Sequence, residues 1–288
     1  MARVFVLLQY LLPQHLLSRG IYHLTRCRVH WVKDALIGAF MRGYRPVVSD
    51  AVQPDPHAYE SFNAFFTRAL RSDARPLAAA GQILSPVDGA VSEAGDLDED
   101  RLLQAKGRHY TLAELLAGHD DWCRKLRGGQ FATIYLAPFN YHRIHMAAAG
   151  TLTDAWHVPG ALFSVNNATA QRVPRLFARN ERVVCAFDSP HGPYVLVLVG
   201  ALFVGSMSTV WHGEVTPMRG PRRVQPLQPR PDAAPLQRAA GEELGRFNMG
   251  STVILLTPPG FGRFAPRLRP GAVLRMGEAI GQLGLACT

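Results

Sequence analysis

Apolar positions recur at helical spacing near the start of the chain: Leu17, Ile21 and Leu24, then Val29, Val32, Leu36 and Phe40. Tyr10, Tyr22, Trp31 and Tyr44 are interspersed, and Arg19, Arg26, Lys33 and Arg42 are free to occupy the opposite side. That pattern fits an interfacial helix lying in a lipid headgroup layer, with aromatic rings at the polar boundary. It fits an amphipathic helix packed on the protein's own core equally well, and periodicity does not separate the two. Residues 46–60 (PVVSDAVQPDPHAYE) read as a proline-broken linker. A short helix follows, capped by Ser61, with Phe62, Phe65, Phe66 and Leu70 on its apolar side, and it stops near Arg75 and Pro76. Beyond Gly81 the pattern changes to short strand-like runs: Phe131–Leu136, Val183–Phe187, Tyr194–Val199, Ala201–Val204, Thr252–Leu256 and Ala272–Met276, with one helix at Leu112–Leu116. Val195, Val197 and Val199 alternate with Leu196 and Leu198, so that run is apolar on both faces, as a central strand must be. Residues 217–240 hold six prolines and five arginines and read as an exposed, mobile loop. Strands do not alternate with long helices and no glycine-rich phosphate loop follows a strand, which argues against a doubly wound nucleotide-binding fold. The expectation is α+β: an N-terminal amphipathic helical region over 1–75 and a β-rich domain over 76–288.

Composition supports a folded chain. Of 288 residues, 48% are hydrophobic and 18% charged, enough apolar surface for a core. No run reaches the ~20 apolar residues of a membrane-spanning helix, and no small-residue cleavage site follows the opening apolar run, so a secretory signal is not expected. Cys27, Cys123, Cys185 and Cys287 are far apart with no CxxC pair, which suggests neither a zinc knuckle nor a disulfide scaffold and points to a reducing compartment. Net charge is +9. Residues 1–50 hold seven Lys/Arg against Asp34 and Asp50, so more than half of the excess lies in about a sixth of the chain. Such an end seeks an anionic partner. Nucleic acid is disfavoured, because phosphate-tracking surfaces rarely alternate with so many long aliphatics; a lipid surface is the better fit.

Three stretches carry polar residues that a purely structural account strains to explain. In Ser85-Pro-Val-Asp88-Gly89 the acid before glycine is, by itself, an ordinary turn former. In Tyr141-His142-Arg143-Ile144-His145 the two histidines would share a face of a helix but take opposite faces of a strand. After a strand and Pro138 the extended form is favoured, giving the two different jobs. A zinc site would need further ligands that the cysteines do not supply, so no metal is expected. Gly250-Ser251-Thr252 differs from the G-x-S-x-G elbow of hydrolases, and a nucleophilic serine needs a base and something to orient it.

Taken together and in order, these stretches resemble phosphatidylserine decarboxylase, the pyruvoyl-dependent family of phospholipid synthesis, in its bacterial membrane-associated form. The resemblance runs from LLQYLLPQHLLSR at the start through FNAFFTRALRSDARPL (62–77), ILSPVDGAVSEAG (83–95), LLQAKGRHYTLAELLAG (102–118), YLAPFNYHRIHMAAAG (135–150) and VPGALFSVNNATAQRVPRLFARNERVVCAFD (158–188) to GRFNMGSTVILL (245–256). Departures are small: the family usually has leucine at Met249 and commonly proline at Ala69 and Ala147.

The resemblance implies that the β-rich domain is catalytic and that Ser251 attacks the Gly250 carbonyl in an N→O acyl shift. It makes His145 the general base, and Asp88 the residue that orients it, in the manner of a serine-protease triad. Elimination from the ester then leaves a large chain, 1–250, and a small chain, 251–288, whose residue 251 is a covalent pyruvoyl group. That group decarboxylates phosphatidylserine to phosphatidylethanolamine and carbon dioxide through a Schiff base, with His142 serving the decarboxylation. The scarcity of lysine (Lys33, Lys106 and Lys125) agrees with an electron sink other than pyridoxal phosphate. The implied partners are the two chains of one precursor, the substrate lipid and an anionic phospholipid surface on the cytoplasmic side of the cell membrane, held peripherally. Whether copies form a homo-oligomer is left open. The rival classes are a self-processing amidohydrolase and a non-enzymatic membrane adaptor.

Overall fold

The hexapeptide Tyr194–Val199 is apolar at every position, so neither of its faces can meet water without cost. In the computed structural model, which describes residues 2–203, 206–216, 223–227 and 235–286, it is a strand buried along its whole length between two other strands. Three helices open the chain, α1 (Ala2–Leu11), α2 (Gln14–Thr25) and α3 (His30–Tyr44), followed by the short α4 (Phe62–Phe66). Next come β1 (Gln82–Leu84), β2 (Gly89–Asp96), β3 (Arg101–Ala105), β4 (Arg108–Thr111), α5 (Leu112–Leu116) and α6 (Asp120–Leu126). The strands β5 (Gln130–Tyr135), β6 (Arg143–His145) and β7 (Gly150–Val158) precede the one-turn helices α7 (Asn167–Ala170) and α8 (Leu176–Arg179). After them run β8 (Arg182–Asp188), β9 (Tyr194–Val199), β10 (Met207–Thr209), β11 (Gly213–Glu214), β12 (Gln225–Pro226), β13 (Gln237–Arg238) and β14 (Glu243–Phe247). The chain ends in β15 (Thr252–Thr257), β16 (Gly262–Phe264), β17 (Val273–Leu274) and β18 (Ala279–Leu283). Helices come first and strands after, the α+β arrangement that the pattern implies.

The main antiparallel sheet has nine strands in the order β12-β7-β8-β9-β15-β5-β2-β17, with β13 also pairing β7. Its middle member, β15, is buried at every residue and pairs Thr252–Thr257 with β5 on one side and Thr252–Leu256 with β9 on the other. Smaller sheets are β11-β10-β14-β6 and β1-β18-β16, and β3 and β4 form a hairpin. Thr111 and Glu114 close a reciprocal capping box on α5, whose Leu112, Leu115 and Leu116 enter the core. The buried Arg182 lies under α5 and donates to the carbonyls of Glu114, Leu115, Ala178 and Asn180. A cation with no acid is tolerable there because each of its nitrogens has an acceptor.

The N-terminal helices are inverted relative to an ordinary surface helix. On α1 and α2 the inward residues other than Val6 are polar: Gln9 accepts from the Ser164 amide at 2.7 Å, and Gln14 accepts from the Leu162 amide at 2.7 Å. The outward residues are apolar, among them Leu7, Leu8, Leu11, Leu12 and Leu16. Only α3 buries an apolar stripe, Ile37 and Phe40 against Phe62, Phe65 and Phe66 of α4. Lys33 falls on that buried stripe rather than on a solvent face, because its ammonium reaches Asp34 at 2.6 Å and the His57 carbonyl at 2.8 Å.

Other expectations need correction. Ser61 caps α4 as anticipated, accepting from the Ala64 amide. The helix ends at Phe66, however: the Thr67 amide makes the last helical bond to the Asn63 carbonyl, which its hydroxyl shares, and the Arg68 amide then turns to the Phe65 carbonyl. Leu70 instead bridges Ala51. The strand expected at Ala201–Val204 is a turn at Leu202 and Phe203, where Phe203 takes φ 67°; Val204 lies outside the described residues. The strand expected over Ala272–Met276 is confined to Val273–Leu274. Within 217–240, residues 217–222 and 228–234 lie outside the described residues, but β12 and β13 are edge strands on β7 rather than loop.

Candidate active site

Ser251 sits one residue before β15, its carbonyl accepting from the Leu136 amide at 2.8 Å and so extending the central ladder. It is 0% exposed, and its hydroxyl has no hydrogen-bond partner among the described residues. An unpaired hydroxyl in a closed interior calls for a reason, because burying it unbonded costs roughly 1–3 kcal/mol. Gly250 precedes it and is not among the left-handed glycines; its constraint is space. A Cβ at that position would lie 3.3 Å from His142 Nε2 and 3.4 Å from the Leu136 carbonyl. The preceding residues are tied in place. Phe247 N–H donates to the His142 carbonyl at 3.0 Å, Asn248 N–H to the Ser206 carbonyl at 3.0 Å, and the Asn63 amide of α4 to the Asn248 carbonyl at 3.0 Å.

The two histidines have different surroundings. His142 precedes β6, is 0% exposed and packs on the Phe66 ring at 4.1 Å between centroids. Its Nδ1 donates to the Asn140 carbonyl at 2.8 Å, which assigns the hydrogen to Nδ1 and leaves Nε2 a lone pair with no partner. Burial pushes its pKa down to about 3, so the ring is neutral at any physiological pH. His145 ends β6. Its Nδ1 donates to the Gly241 carbonyl at 2.8 Å, and its Nε2 accepts from the Tyr141 hydroxyl at 3.0 Å. Burial also lowers the His145 pKa, while the Gly241 bond and the charges of Glu243 and Asp88 partly oppose this.

Asp88 lies between β1 and β2, nearly buried. It accepts from Arg75 (Nε to Oδ1 at 3.0 Å, Nη2 to Oδ2 at 2.6 Å) and from the Met276 amide at 2.8 Å. Arg75 also grips Asp50 at 2.9 Å, holding that carboxyl below its usual range, and its own pKa is raised by these acids. Among the described residues, then, the side-chain bonds of Asp88 go to Arg75 and Met276, those of His145 to Tyr141 and Gly241, and Ser251 makes none. Asp88 and His145 are joined by backbone neighbours, since the His145 amide donates to the Pro86 carbonyl at 2.8 Å.

Met249 and Gly250 open on an apolar cavity of about 420 Å³ that is also lined by Phe66, Leu136, Phe40, Tyr44 and Phe5. The N-terminal helices therefore form one wall of the space next to the Gly250–Ser251 bond.

Sequence reasoning missed Arg75, Tyr141 and Asn63. Arg75 is one of three arginines in FNAFFTRALRSDARPL, and nothing in the string distinguishes them. Tyr141 adjoins the histidines, but its bond to His145 depends on the turn before β6.

Residues 62–282 match the family model described as phosphatidylserine decarboxylase, and residues 4–45 match one described as PSD. A relative from Azotobacter vinelandii named phosphatidylserine decarboxylase proenzyme is 52% identical over 284 residues, 97% of this chain and 98% of its own. Relatives with the same name from Ectopseudomonas mendocina (51% over 287 residues, 98% and 99%) and Methylibium petroleiphilum (51% over 278 residues, 96% and 97%) align as fully. The match passes through Asp88, His145 and Ser251 and spans nearly every element described above: the chain belongs to the phosphatidylserine decarboxylase family.

Proposed function

We propose that this chain is a precursor that cuts itself between Gly250 and Ser251 and then decarboxylates phosphatidylserine to phosphatidylethanolamine and carbon dioxide at a membrane surface. The observation that carries the reading is the closed, unbonded Ser251 hydroxyl, next to a glycine that faces the free Nε2 of His142 and opens on an apolar cavity. Ser251 Oγ attacks the Gly250 carbonyl and takes the acyl group from its own nitrogen as an ester; elimination of the Gly250 carboxylate leaves a dehydroalanine at 251, and water displaces its nitrogen as ammonia to give the ketone. His145 takes the proton on Nε2, its tautomer set by the Gly241 carbonyl, and the Asp88 charge favours the imidazolium that results.

Residue 251 suits a pyruvoyl group. A terminal ammonium in a position 0% exposed would need an acid partner, whereas a ketone carries no charge to desolvate. Once formed, that group supplies the electron sink for the carbanion left as carbon dioxide departs. His142 returns the proton. Its Nε2 lone pair faces Gly250, and because burial keeps the resting ring neutral, the proton it delivers is one taken up during turnover.

The outward leucines of α1 and α2 and the basic N-terminal fifty residues support peripheral association with anionic lipid on the cytoplasmic side of the cell membrane. Among the described residues no helix is long and apolar enough to cross a membrane. A lipid resting against α1 and α3 reaches the cavity past Phe5, Phe40 and Tyr44, which line it. Intact mass tests the core of the proposal. Purified protein should contain chains 1–250 and 251–288, the small one blocked to Edman degradation and reactive with phenylhydrazine, and it should release carbon dioxide from phosphatidylserine. An uncut chain, or a small chain with a free serine amine, sinks it.

A further inference from the structure

Arg68 is 3% exposed, yet its Nε and Nη1 have no hydrogen-bond partner among the described residues; only Nη2 is bonded, to the Val47 carbonyl at 3.2 Å. The contrast with Arg182 is direct. Both guanidinium groups are buried without a contacting acid, but every nitrogen of Arg182 has an acceptor and Arg68 has two without one. The acids whose charge reaches Arg68 are Asp88 and Asp50, and both are already paired with Arg75. The Phe65 ring lies 5.6 Å from the guanidinium carbon, and the Tyr59 phenol is near enough to interact with its charge. A buried cation is tolerable when it is paired, so two free guanidinium donors closed off from water point to an anion that reaches them.

Its place in the fold says which anion. Arg68 lies just past α4, the helix whose Asn63 holds Asn248 and whose Phe66 both packs on His142 and lines the cavity at Gly250. The Arg68 charge is felt at His142, and the adjoining Thr67 carbonyl is held by Arg143 at 3.0 Å.

We propose that Arg68 is the residue that binds the phosphodiester of the lipid headgroup while the serine moiety lies at residue 251, an inference that rests on the decarboxylase reading above. The headgroup has two anions, and the chemistry chooses between them. A guanidinium paired to the carboxylate would stabilise the very charge that must be lost with carbon dioxide, lowering the ground state more than the transition state. The phosphodiester keeps its charge throughout, so pairing there holds substrate without opposing the reaction, and two parallel N–H donors match two phosphate oxygens.

The test uses the mature full-length enzyme and two soluble probes, dihexanoyl phosphatidylethanolamine and dihexanoyl glycerol, which share acyl chains but not the phosphate. Arg68→Gln should weaken the phosphatidylethanolamine by at least about tenfold and leave the diacylglycerol within twofold; Arg68→Lys should recover part of the loss. Inorganic phosphate should compete with the phosphatidylethanolamine in the wild type but not in Arg68→Gln. Arg68→Met, which removes the unpaired cation, should melt no lower than the wild type, whereas a purely structural arginine would lower the melting temperature when replaced. Equal loss of both probes, or no loss of either, overturns the inference, as does an effect confined to dihexanoyl phosphatidylserine, which would put Arg68 on the carboxylate. So does phosphate binding that the phosphatidylethanolamine does not displace. If the wild type binds neither lipid, the decarboxylase reading itself fails and takes the inference with it.

Discussion

His142 illustrates how burial can outweigh a residue's other surroundings in setting its chemistry. Its folded pKa of about 3 lies below the ordinary 6.5, so between those values the unfolded chain binds a proton that the folded chain refuses. Its contribution is therefore fully present above pH 6.5 and lost as pH falls toward 3. We expect His142→Phe to flatten the acid side of a stability-against-pH curve within that window; unchanged steepness there would assign the acid sensitivity to other groups. At the scissile bond, Ser251→Ala should abolish cutting, since alanine offers no nucleophile. His145→Ala should block or greatly slow it, and His142→Ala should leave cutting intact while decarboxylation fails, all read from chain masses and carbon dioxide release. Tyr141 adds a prediction of its own. Its hydroxyl occupies the Nε2 lone pair that His145 needs, so Tyr141→Phe should cut at least as fast as the wild type; slower cutting would mean that the phenol passes the proton on. The stretches that hold Asp88, His145 and Ser251 were legible in the sequence because they resemble those of a family, and the roles proposed for the three residues rest on that resemblance. Arg75 and Arg68 were not legible, because a guanidinium's role depends on what it meets in three dimensions, and an arginine-rich string reads alike for all of its arginines.

At the scale of elements, the helices of the first fifty residues show what periodicity can and cannot give. Their existence and approximate bounds are readable from the spacing of Leu17, Ile21, Val32, Leu36 and Phe40. Which side faces in is not, because Gln9 and Gln14 turn the polar side of α1 and α2 onto the backbone of residues 162–164. The Lys33 side chain misleads for a similar reason, its charge being met by Asp34 and a carbonyl. Leu8→Asp with Leu11→Asp should therefore leave folding and self-cutting intact and reduce sedimentation with anionic vesicles several-fold. The same pair of substitutions in a core helix would instead cost stability. In the unaltered protein, high salt should release only part of the bound material, because charge attraction of about 1 kcal/mol per basic residue is screened and apolar insertion is not. Point changes separate these effects better than deleting residues 1–45, because Ile37 and Phe40 of α3 support the phenylalanines of α4.

At the scale of the whole molecule, the position of β15 decides the fate of the protein after the cut. With the proposed cut before Ser251, the small chain begins at a fully buried strand of the main sheet and continues through β16, β17 and β18, which pair with one another or with β1 and β2 of the large chain. Thirty-eight residues cannot close a core of their own, so native pairing holds the two chains together without a covalent link. While the chain is whole, β15 finds its place between β5 and β9 within one polymer. After the cut the same insertion is an encounter between two molecules, one of them a sticky, unprotected strand. The Ser251→Ala precursor should regain its native spectrum on dilution from denaturant. The cut enzyme should do so poorly, with a yield that depends on concentration, and equal recovery of the two would refute this. Maturation thus makes denaturation irreversible: the instructions for assembly are used once, before the cut, and a molecule that loses its shape afterwards can be replaced only by fresh synthesis.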